Sequence, residues 1–324
     1  MYRKKAQISF IVACGVIAAL LMSACGQEVQ PTPTAFDSPV PTPEPFESPL
    51  PEPVQYFEGQ LAYHSDRSGT LQIYLMQGNL TEHTQISHDP LGAFEPSWSP
   101  DCEQLVFASK RPDSDSFELR LIGSDGSGER TLMDEQEPDN WSPAWSPNGE
   151  IIAYQTNHGG QLNVCMATAT GERLECLEGD YGKASPAWSP DGSKLLFVGD
   201  QDGDWDIYVT DYPSTAQPTK LTENNKPDFN PQFSPDGEYI AFSSSRVGNY
   251  DIYLVKADGS GEVQLTSAGA DDTTPRWVGT DKIAFASERT DDWELYLMNR
   301  DGTGLVQITS SFGLDKWPVW CPGK

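Results

Sequence analysis

Four aspartates alternate along one short loop and could hold a metal ion. The segment GDQDGDWD supplies them at two-residue spacing, as Asp200, Asp202, Asp204 and Asp206. Carboxylate oxygens are the ligands that Ca²⁺ prefers. Gly203, however, is not where an EF-hand loop needs its glycine, and no bidentate Glu follows at the end of the loop. Calcium is the one cofactor that the sequence suggests, and a solvated acidic loop without an ion is the alternative.

Side chains with catalytic chemistry do not gather in a recognisable pattern. The chain has no G-x-S-x-G elbow, no H-E-x-x-H motif and no glycine-rich phosphate loop. Its histidines stand singly in or beside different predicted strands, at His64, His83, His88 and His158. Single histidines so placed are mostly surface or structural residues, so we expect a protein that is not an enzyme.

A repeated frame of Pro, an aromatic residue and a Ser-Pro-Asp-Gly turn organises the chain. The copies read PSWSPDC, PAWSPNG, PAWSPDG, PQFSPDG, PRWVGTD and PVWCPGK, and their aromatic anchors are Trp98, Trp145, Trp188, Phe233, Trp277 and Trp320. Successive anchors are 43 to 47 residues apart. A period of this length indicates stacked or radial repeats.

Each repeat contains four short strand patterns, which we name A to D. In the fifth repeat these are NPQFS, YIAFSS, YDIYLV and VQLT, separated by turn-rich segments. In strand A the Pro stands where its missing N–H is harmless, the aromatic residue can fill the layer between sheets, and Ser-Pro-Asp-Gly makes the A–B turn. The repeated motif is therefore architectural.

Repeats of four strands without intervening helices predict an all-β fold, a six-bladed β-propeller of four-stranded antiparallel blades. The domain, residues 58–324, opens with strands B, C and D (QLAYHS, LQIYLM, TQIS) and ends with a lone strand A, WPVWC. We expect the C-terminal strand to pair with the three N-terminal strands and so complete one blade.

Several B–C loops carry an arginine, and several C strands begin with an acid. Three repeats combine the two, as Arg111 with Glu118, Arg246 with Asp251 and Arg289 with Glu294. A guanidinium fork suits a carboxylate across a hairpin. We interpret the pairs as structural clamps.

The D–A loops face the same way as the B–C loops and differ most between repeats, which favours this face for partner binding. Acids and aromatics there predict a mouth that suits a protein or peptide with basic groups. The candidate residues are Phe94, Trp141, Tyr181, Phe229, Trp317, Asp139, Asp228, Asp272 and Asp315. The alternative is that these aromatics cap the core and that the acids are part of the net charge of −27 that keeps the chain soluble.

The first residues form a predicted secretion signal followed by a tether. Residues 1–24 contain a basic start, an apolar run and small residues before Cys25. The quartet MSAC resembles the lipobox of bacterial lipoproteins, which implies acylation of Cys25; an ordinary secretory signal is the alternative. Residues 25–57 are rich in Pro, Thr, Ser and Glu, and we expect a disordered linker.

Four cysteines remain after signal removal and lipid attachment, an even number that fits an oxidising compartment. Cys165 and Cys176 flank the turn TATGE almost symmetrically, so a hairpin places them opposite one another, where they can form a disulfide. Cys102 and Cys321 are then paired by elimination.

The combined repeat resembles that of TolB-type propellers, also found in the non-catalytic propellers of prolyl-oligopeptidase-like enzymes. The matching elements are P-x-W-S-P-D-G, I-A-F-x-S-x-R, D/E-I-Y, D-G and L-T, and they cover 58–324. The TolB resemblance implies an extracytoplasmic scaffold that binds proteins. The peptidase resemblance implies a gating domain whose hydrolase is absent here. TolB-like propellers with lyase activity use a histidine-rich metal centre, which this chain cannot easily supply.

Three functions follow in order of preference. The first is a lipid-anchored, protein- or peptide-binding propeller of the cell envelope, on the outer face of the cytoplasmic membrane or in the periplasm. The second is a carbohydrate or cell-wall binding module with Trp141, Phe229 and Trp317 as stacking platforms, and the third is a metal-assisted lyase or hydrolase. Asp and Glu (48) outnumber Lys and Arg (21), which argues against nucleic acid as a partner.

Overall fold

The computed structural model describes residues 55–112, 114, 116–133, 139–213 and 217–322. The predicted signal, Cys25 and the linker up to residue 54 lie outside the described residues. The described part of the chain includes no helix of a length and hydropathy that would carry it through a bilayer.

Six antiparallel sheets of four strands form the domain, which confirms the predicted fold class. Blade 1 contains β1 (Gln60–Ser65), β2 (Gln72–Gln77) and β3 (His83–Gln85) as its strands B to D. Blade 2 contains β4 (Ala93–Trp98), β5 (Gln104–Lys110), β6 (Phe117–Gly123) and β7 (Arg130–Thr131). Blade 3 contains β8 (Asn140–Trp145), β9 (Ile151–Thr156), β10 (Asn163–Thr168) and β11 (Arg173–Cys176), with a 3₁₀ turn at His158–Gly160.

The remaining blades repeat this order from A to D. Blade 4 contains β12 (Lys183–Trp188), β13 (Lys194–Gly199), β14 (Asp206–Asp211) and β15 (Thr219–Lys220); blade 5 contains β16 (Asp228–Phe233), β17 (Tyr239–Ser244), β18 (Asp251–Lys256) and β19 (Val263–Gln264). Blade 6 contains β20 (Asp272–Val278), β21 (Lys282–Ser287), β22 (Glu294–Asn299) and β23 (Val306–Gln307), and β24 (Asp315–Cys321) returns to blade 1.

Blade 1 is assembled from both ends of the domain, as predicted. Strand β24 pairs antiparallel with β1, with Gln60 opposite Cys321. A Cys102–Cys321 disulfide joins this closing strand to blade 2, and Cys165 is bonded to Cys176 across a hairpin. Both disulfide predictions are confirmed.

The anchor tryptophans connect adjacent blades by packing and by hydrogen bonds. The indole Nε1 of Trp98, Trp188 and Trp277 donates to a backbone carbonyl of the preceding blade's inner strand, at 3.1, 3.1 and 3.2 Å. Trp277 also packs in an apolar cluster with β17, β18, β21 and β22 residues. The structural role predicted for the repeat is therefore confirmed.

Every inner strand A contains a bulge, with a left-handed residue directly before the repeat Pro. These residues have φ between 47° and 57° and are Glu95, Ser142, Ser185, Asn230, Thr274 and Trp317. The register of each inner strand shifts at this point. A bulge inserts one extra residue into the strand. The side chains beyond it therefore point to the opposite face of the sheet from the one that simple alternation predicts.

Candidate functional site

Three B–C loop arginines clamp the buried aspartates that begin inner strands. Their Nη2 atoms lie 2.7, 3.2 and 2.9 Å from carboxylate oxygens, in the pairs Arg67–Asp315, Arg246–Asp228 and Arg289–Asp272. The aspartate side chains have no exposed surface. Arg289 also donates from Nε to Ser287 Oγ at 2.8 Å and lies 4.6 Å from the Tyr296 ring centroid. Charge, hydrogen bonding and ring stacking all fix the guanidinium in place.

This geometry corrects two predictions. The arginine's clamp partner in these blades is the first residue of strand A and not the first residue of strand C, because strand A pairs directly with strand B and sets Asp228 opposite Ser244. In addition, Asp228, Asp272 and Asp315 are internal, so they do not form an acidic mouth. Asp139 is half-buried and accepts a hydrogen bond from the Phe117 N–H at 3.0 Å.

The strand C acids of two blades face the clamped aspartate of the next blade. Burial, together with the Asp272 carboxylate, raises the pKa of Asp251 to about 6. Burial, together with Asp315, raises the pKa of Glu294 to about 7. Glu294 accepts hydrogen bonds from the Thr309 hydroxyl at 2.5 Å and the Ser311 N–H at 2.8 Å. Each interface thus holds two carboxyl groups near one arginine.

The aspartate loop of blade 4 brings three of its four acids together. Carboxylate oxygens of Asp202, Asp204 and Asp206 lie within 4.8 Å of one another. Asp200 instead accepts a hydrogen bond from the Gly182 N–H at 2.6 Å. Burial, with the neighbouring carboxylates, raises the pKa of Asp204.

A lysine that the sequence reasoning missed supplies the counterion for this loop. Lys220 Nζ is 2.7 Å from Asp206 Oδ2 and also contacts Asp202. Lys220 occupies a position on strand D where blades 1, 5 and 6 have glutamine, opposite the tyrosine of strand C. An alignment of the D strands would have revealed it. Calcium at this loop stays a prediction, and an ion would have to compete with the ammonium group.

Most of the candidate rim aromatics face inward. The exposed fractions of Phe94, Trp141 and Trp317 are 7, 4 and 7%. The rings of Phe94 and Trp141 both contact the ring of Phe117, at centroid distances of 5.2 and 6.4 Å. The structure therefore corrects the expectation of an exposed aromatic rim at these positions and removes two of the three proposed sugar-stacking platforms.

The other two rim candidates are partly exposed. Phe229 lies between Trp205 and Tyr250, at 6.0 and 6.3 Å between centroids. Tyr181 covers the Lys183 ammonium, which lies 4.2 Å from its ring centroid. Their role in partner binding stays a prediction.

Different apolar residues are exposed on the face that the D–A and B–C loops form. Phe312, between β23 and β24, is 98% exposed. Leu91 and Val247 lie in other loops of the same face and are 39 and 57% exposed. Phe312 stands outside the repeat pattern, between Ser311 and Gly313, which is the signal that could have identified it.

A central cavity of about 270 Å³ is lined by the inner strands of all six blades. Its wall includes all six anchor aromatics, Pro235 of an A–B turn, and Arg276. Arg276 occupies the middle position of P-x-W, where the other repeats have Ser97, Ala144, Ala187, Gln232 and Val319. Sequence reasoning missed this arginine, although its departure from the repeat is visible.

Polar side chains also satisfy the bulged backbone of the inner strands. The N–H groups of Glu95, Ser142 and Ser185 donate to His64 Nδ1, Glu95 Oε2 and Gln155 Oε1, at 3.1, 2.8 and 3.2 Å. Burial, together with Lys316, lowers the pKa of His64 to about 3, so its imidazole is neutral and can accept at Nδ1. In this contact the imidazole supports the backbone of β4.

Comparison with known proteins agrees with this architecture. A protein-family model for the TolB beta propeller domain matches residues 112–282, more than half of the chain. The chain belongs to the TolB beta propeller domain family.

Solved structures show the same fold as this TolB-family propeller. TolB from Acinetobacter baumannii has a TM-score of 0.72 and 18% identity, over 82% of this chain and 67% of that chain. An Agrobacterium tumefaciens protein assigned to TolB has a TM-score of 0.66 and 23% identity, over 80% of this chain and 91% of that chain.

A curated relative shares a shorter stretch of the TolB-family propeller. Dipeptidyl-peptidase 5 of Porphyromonas gingivalis is 34% identical over 74 residues, which is 22% of this chain. The match spans only 11% of that peptidase's length. It is therefore a similarity between segments of the two chains.

Proposed function

We propose that this protein is a non-catalytic, extracytoplasmic scaffold that binds a protein or peptide through the face formed by its D–A and B–C loops. The observation that carries the proposal is Phe312, a large aromatic side chain that is 98% exposed on that face. Leaving such a side chain in water forgoes about 2 kcal/mol of burial free energy, which a partner can recover. Exposed aromatics are frequent energetic centres of protein interfaces.

The backbone around Phe312 is held in place. The Leu314 N–H donates to Asp66 Oδ1 at 2.7 Å, and the Asp66 N–H donates back to the Leu314 carbonyl at 3.3 Å. On the other side, the Ser311 N–H donates to Glu294 at 2.8 Å. The ring is thus presented on an ordered loop, which reduces the entropy lost on binding.

The charge of the chain favours a partner with basic groups. The net charge is −27, so long-range attraction should speed the association of a cationic protein or peptide and weaken with added salt. TolB-family membership supports a protein-binding scaffold, and the histidines support a non-catalytic role. His64 is buried against Trp317, and His83 forms a hydrogen bond with the Tyr63 hydroxyl.

The two disulfides indicate an oxidising compartment outside the cytoplasm. We infer attachment to the envelope through lipid on Cys25, because MSAC follows an apolar run and precedes a Pro-rich tether. Cys25→Ala should move the protein from the membrane fraction to the soluble fraction. Unchanged fractionation would contradict the lipid anchor, but it would not test the proposed binding face.

Capture of partners from solubilised envelopes tests the binding face. Phe312→Ser should reduce the recovered partner at least about tenfold, as expected for an interface aromatic. Leu305→Ser is the matched control, because Leu305 is 44% exposed beside the outer strand β23. Equal capture by wild type and both variants would contradict the assignment.

A further inference from the structure

We propose that the central cavity contains a carboxylate-binding subsite centred on Arg276. The site lies between the inner strands and reaches the A–B turns, so it is separate from the Phe312 face and does not rest on the proposed function. Its ligand is a monoanionic carboxylate on a slender chain, such as a peptide C terminus or a small organic acid.

Arg276 is half-buried like the three clamp arginines, but among the described residues it has no buried aspartate as a partner. Within the described residues no carboxylate lies within ion-pair distance of its guanidinium, whereas Arg67, Arg246 and Arg289 each hold a buried aspartate. Within the part of the chain that the structure describes, the Arg276 side chain donates from Nη1 to the Pro275 carbonyl, at 2.9 Å. A guanidinium has five N–H donors, so most of its hydrogen-bonding capacity can serve a ligand.

The carboxylate whose charge acts on Arg276 is already engaged. Glu95 acts on Arg276 through its charge, but its Oε2 accepts hydrogen bonds from both the N–H and the hydroxyl of Ser142, at 2.8 and 2.7 Å. Burial lowers the pKa of Arg276 to about 10, so the group is still cationic at neutral pH, and its side chain is partly exposed where it lines the cavity. A partly desolvated cation without an ion pair attracts an anion more strongly than a fully hydrated one does.

The cavity wall selects the kind of anion. Ser97, Ser185, Asn230 and Gln232 add hydroxyl and amide groups to a wall that consists mainly of Pro, aromatic and small apolar residues. The planar guanidinium fork matches a carboxylate in a bidentate geometry. The Glu95 charge opposes the second charge of a phosphate dianion, so a monoanion fits best. A volume of about 270 Å³ admits a short chain or a small acid.

Calorimetric titration of the purified full-length protein with N-acetyl-glycyl-glycine tests the subsite. Wild type should bind this probe, bind its C-terminal amide at least about tenfold more weakly, and bind inorganic phosphate more weakly than the acid. Butyrate distinguishes a peptide C terminus from a small organic acid. Binding of butyrate as strong as that of N-acetyl-glycyl-glycine indicates recognition of any small acid, and weaker binding of butyrate indicates recognition of a peptide end.

Three variants locate the subsite. Arg276→Gln should bind N-acetyl-glycyl-glycine at least about tenfold more weakly, and Arg276→Lys should be intermediate because it keeps the charge without the fork. Arg300→Gln removes the same charge at an exposed position near Asp236 and should bind like wild type. Because Arg276 has no ion pair to lose, Arg276→Gln should fold with an unchanged circular dichroism spectrum; if it does not, Arg276→Lys still tests the fork.

The proposal is overturned if no carboxylate probe binds wild type, if Arg276→Gln binds N-acetyl-glycyl-glycine as strongly as wild type, or if phosphate binds at least as strongly as the acid. Destabilisation by Arg276→Gln and by Arg276→Lys alike, together with no binding to wild type, would show that the arginine serves only the fold. None of these outcomes depends on Phe312, so this test and the partner-capture test fail independently.

Discussion

Buried carboxyl groups that share one arginine should make the stability of this propeller depend on pH. Glu294 has a pKa of about 7 in the folded protein, against an ordinary value of 4.5. A group with a raised folded pKa contributes stability below its unfolded pKa, and this contribution is lost as pH rises through the folded pKa. The contribution of Glu294 to the free energy of unfolding should therefore decrease as the pH rises from about 4.5 to 7.

Substitution of Glu294 by Gln tests this behaviour. Denaturant unfolding should show wild type losing on the order of 1–3 kcal/mol from this group between pH 5 and 8, and Glu294→Gln losing less. Glu178→Gln, at an exposed position, is the control and should keep the wild-type pH dependence. A wild-type slope that survives in Glu294→Gln would show that other groups cause it.

The aspartate loop of blade 4 makes a second prediction at the residue scale. Because Lys220 already contacts Asp202 and Asp206, added calcium should raise the melting temperature of Lys220→Gln more than that of wild type. Asp204→Asn in the Lys220→Gln background should remove the increase. Equal calcium responses in wild type and Lys220→Gln would show that the three acids do not form a shared ion site.

Residue contacts were harder to predict than residue types. The sequence contains the arginines and the acids, but the choice between the strand A and strand C carboxylate depends on sheet register. Similarly, Trp141 stands two residues before a repeat Pro, and only the left-handed bulge at Ser142 determines which way its ring turns. Lys220, Arg276 and Phe312 were visible as departures from the repeat, but their neighbours come from other strands or blades.

Strands, in contrast, could be predicted closely because each one repeats. The predicted strand QLAYHS forms β1 over Gln60–Ser65, and the predicted strand YIAFSS forms β17 over Tyr239–Ser244. Six copies of one pattern reduce the uncertainty of any single copy, and the Ser-Pro-Asp turn marks where strand A ends. Ser234 Oγ, for example, donates to Asp236 at 2.5 Å and accepts the Tyr239 N–H at 2.9 Å, which starts strand B.

The inner-strand anchors should dominate blade stability. Trp277→Ala removes a 6% exposed indole and its hydrogen bond to the Gln232 carbonyl, so we expect a loss of about 3–5 kcal/mol in the free energy of unfolding. Phe312→Ala, which deletes an exposed ring, should change it by less than about 0.5 kcal/mol. Urea denaturation of both variants checks the contrast, and similar losses would contradict the assigned burial.

At the scale of the whole molecule, the ring of blades separates two surfaces with different chemistry. The inner strands contact one another in a closed circle, and the Cys102–Cys321 disulfide holds the last strand to the ring. The A–B turns repeat one Ser-Pro-Asp/Asn design in four blades, whereas the D–A loops vary and present Leu91 and Phe312. A rigid ring of this kind can carry variable loops without loss of stability, which suits a scaffold.

Site-specific photo-crosslinking in cells measures the central claim most directly. A benzoylphenylalanine residue placed at position 312 should yield a discrete adduct of higher mass that contains a second protein, and the same residue at position 305, on the outer edge of blade 6, should not. Loss of the position-312 adduct at high salt would agree with an acidic chain that attracts a basic partner. An adduct at position 305 and none at position 312 would contradict the assignment of the partner-binding face.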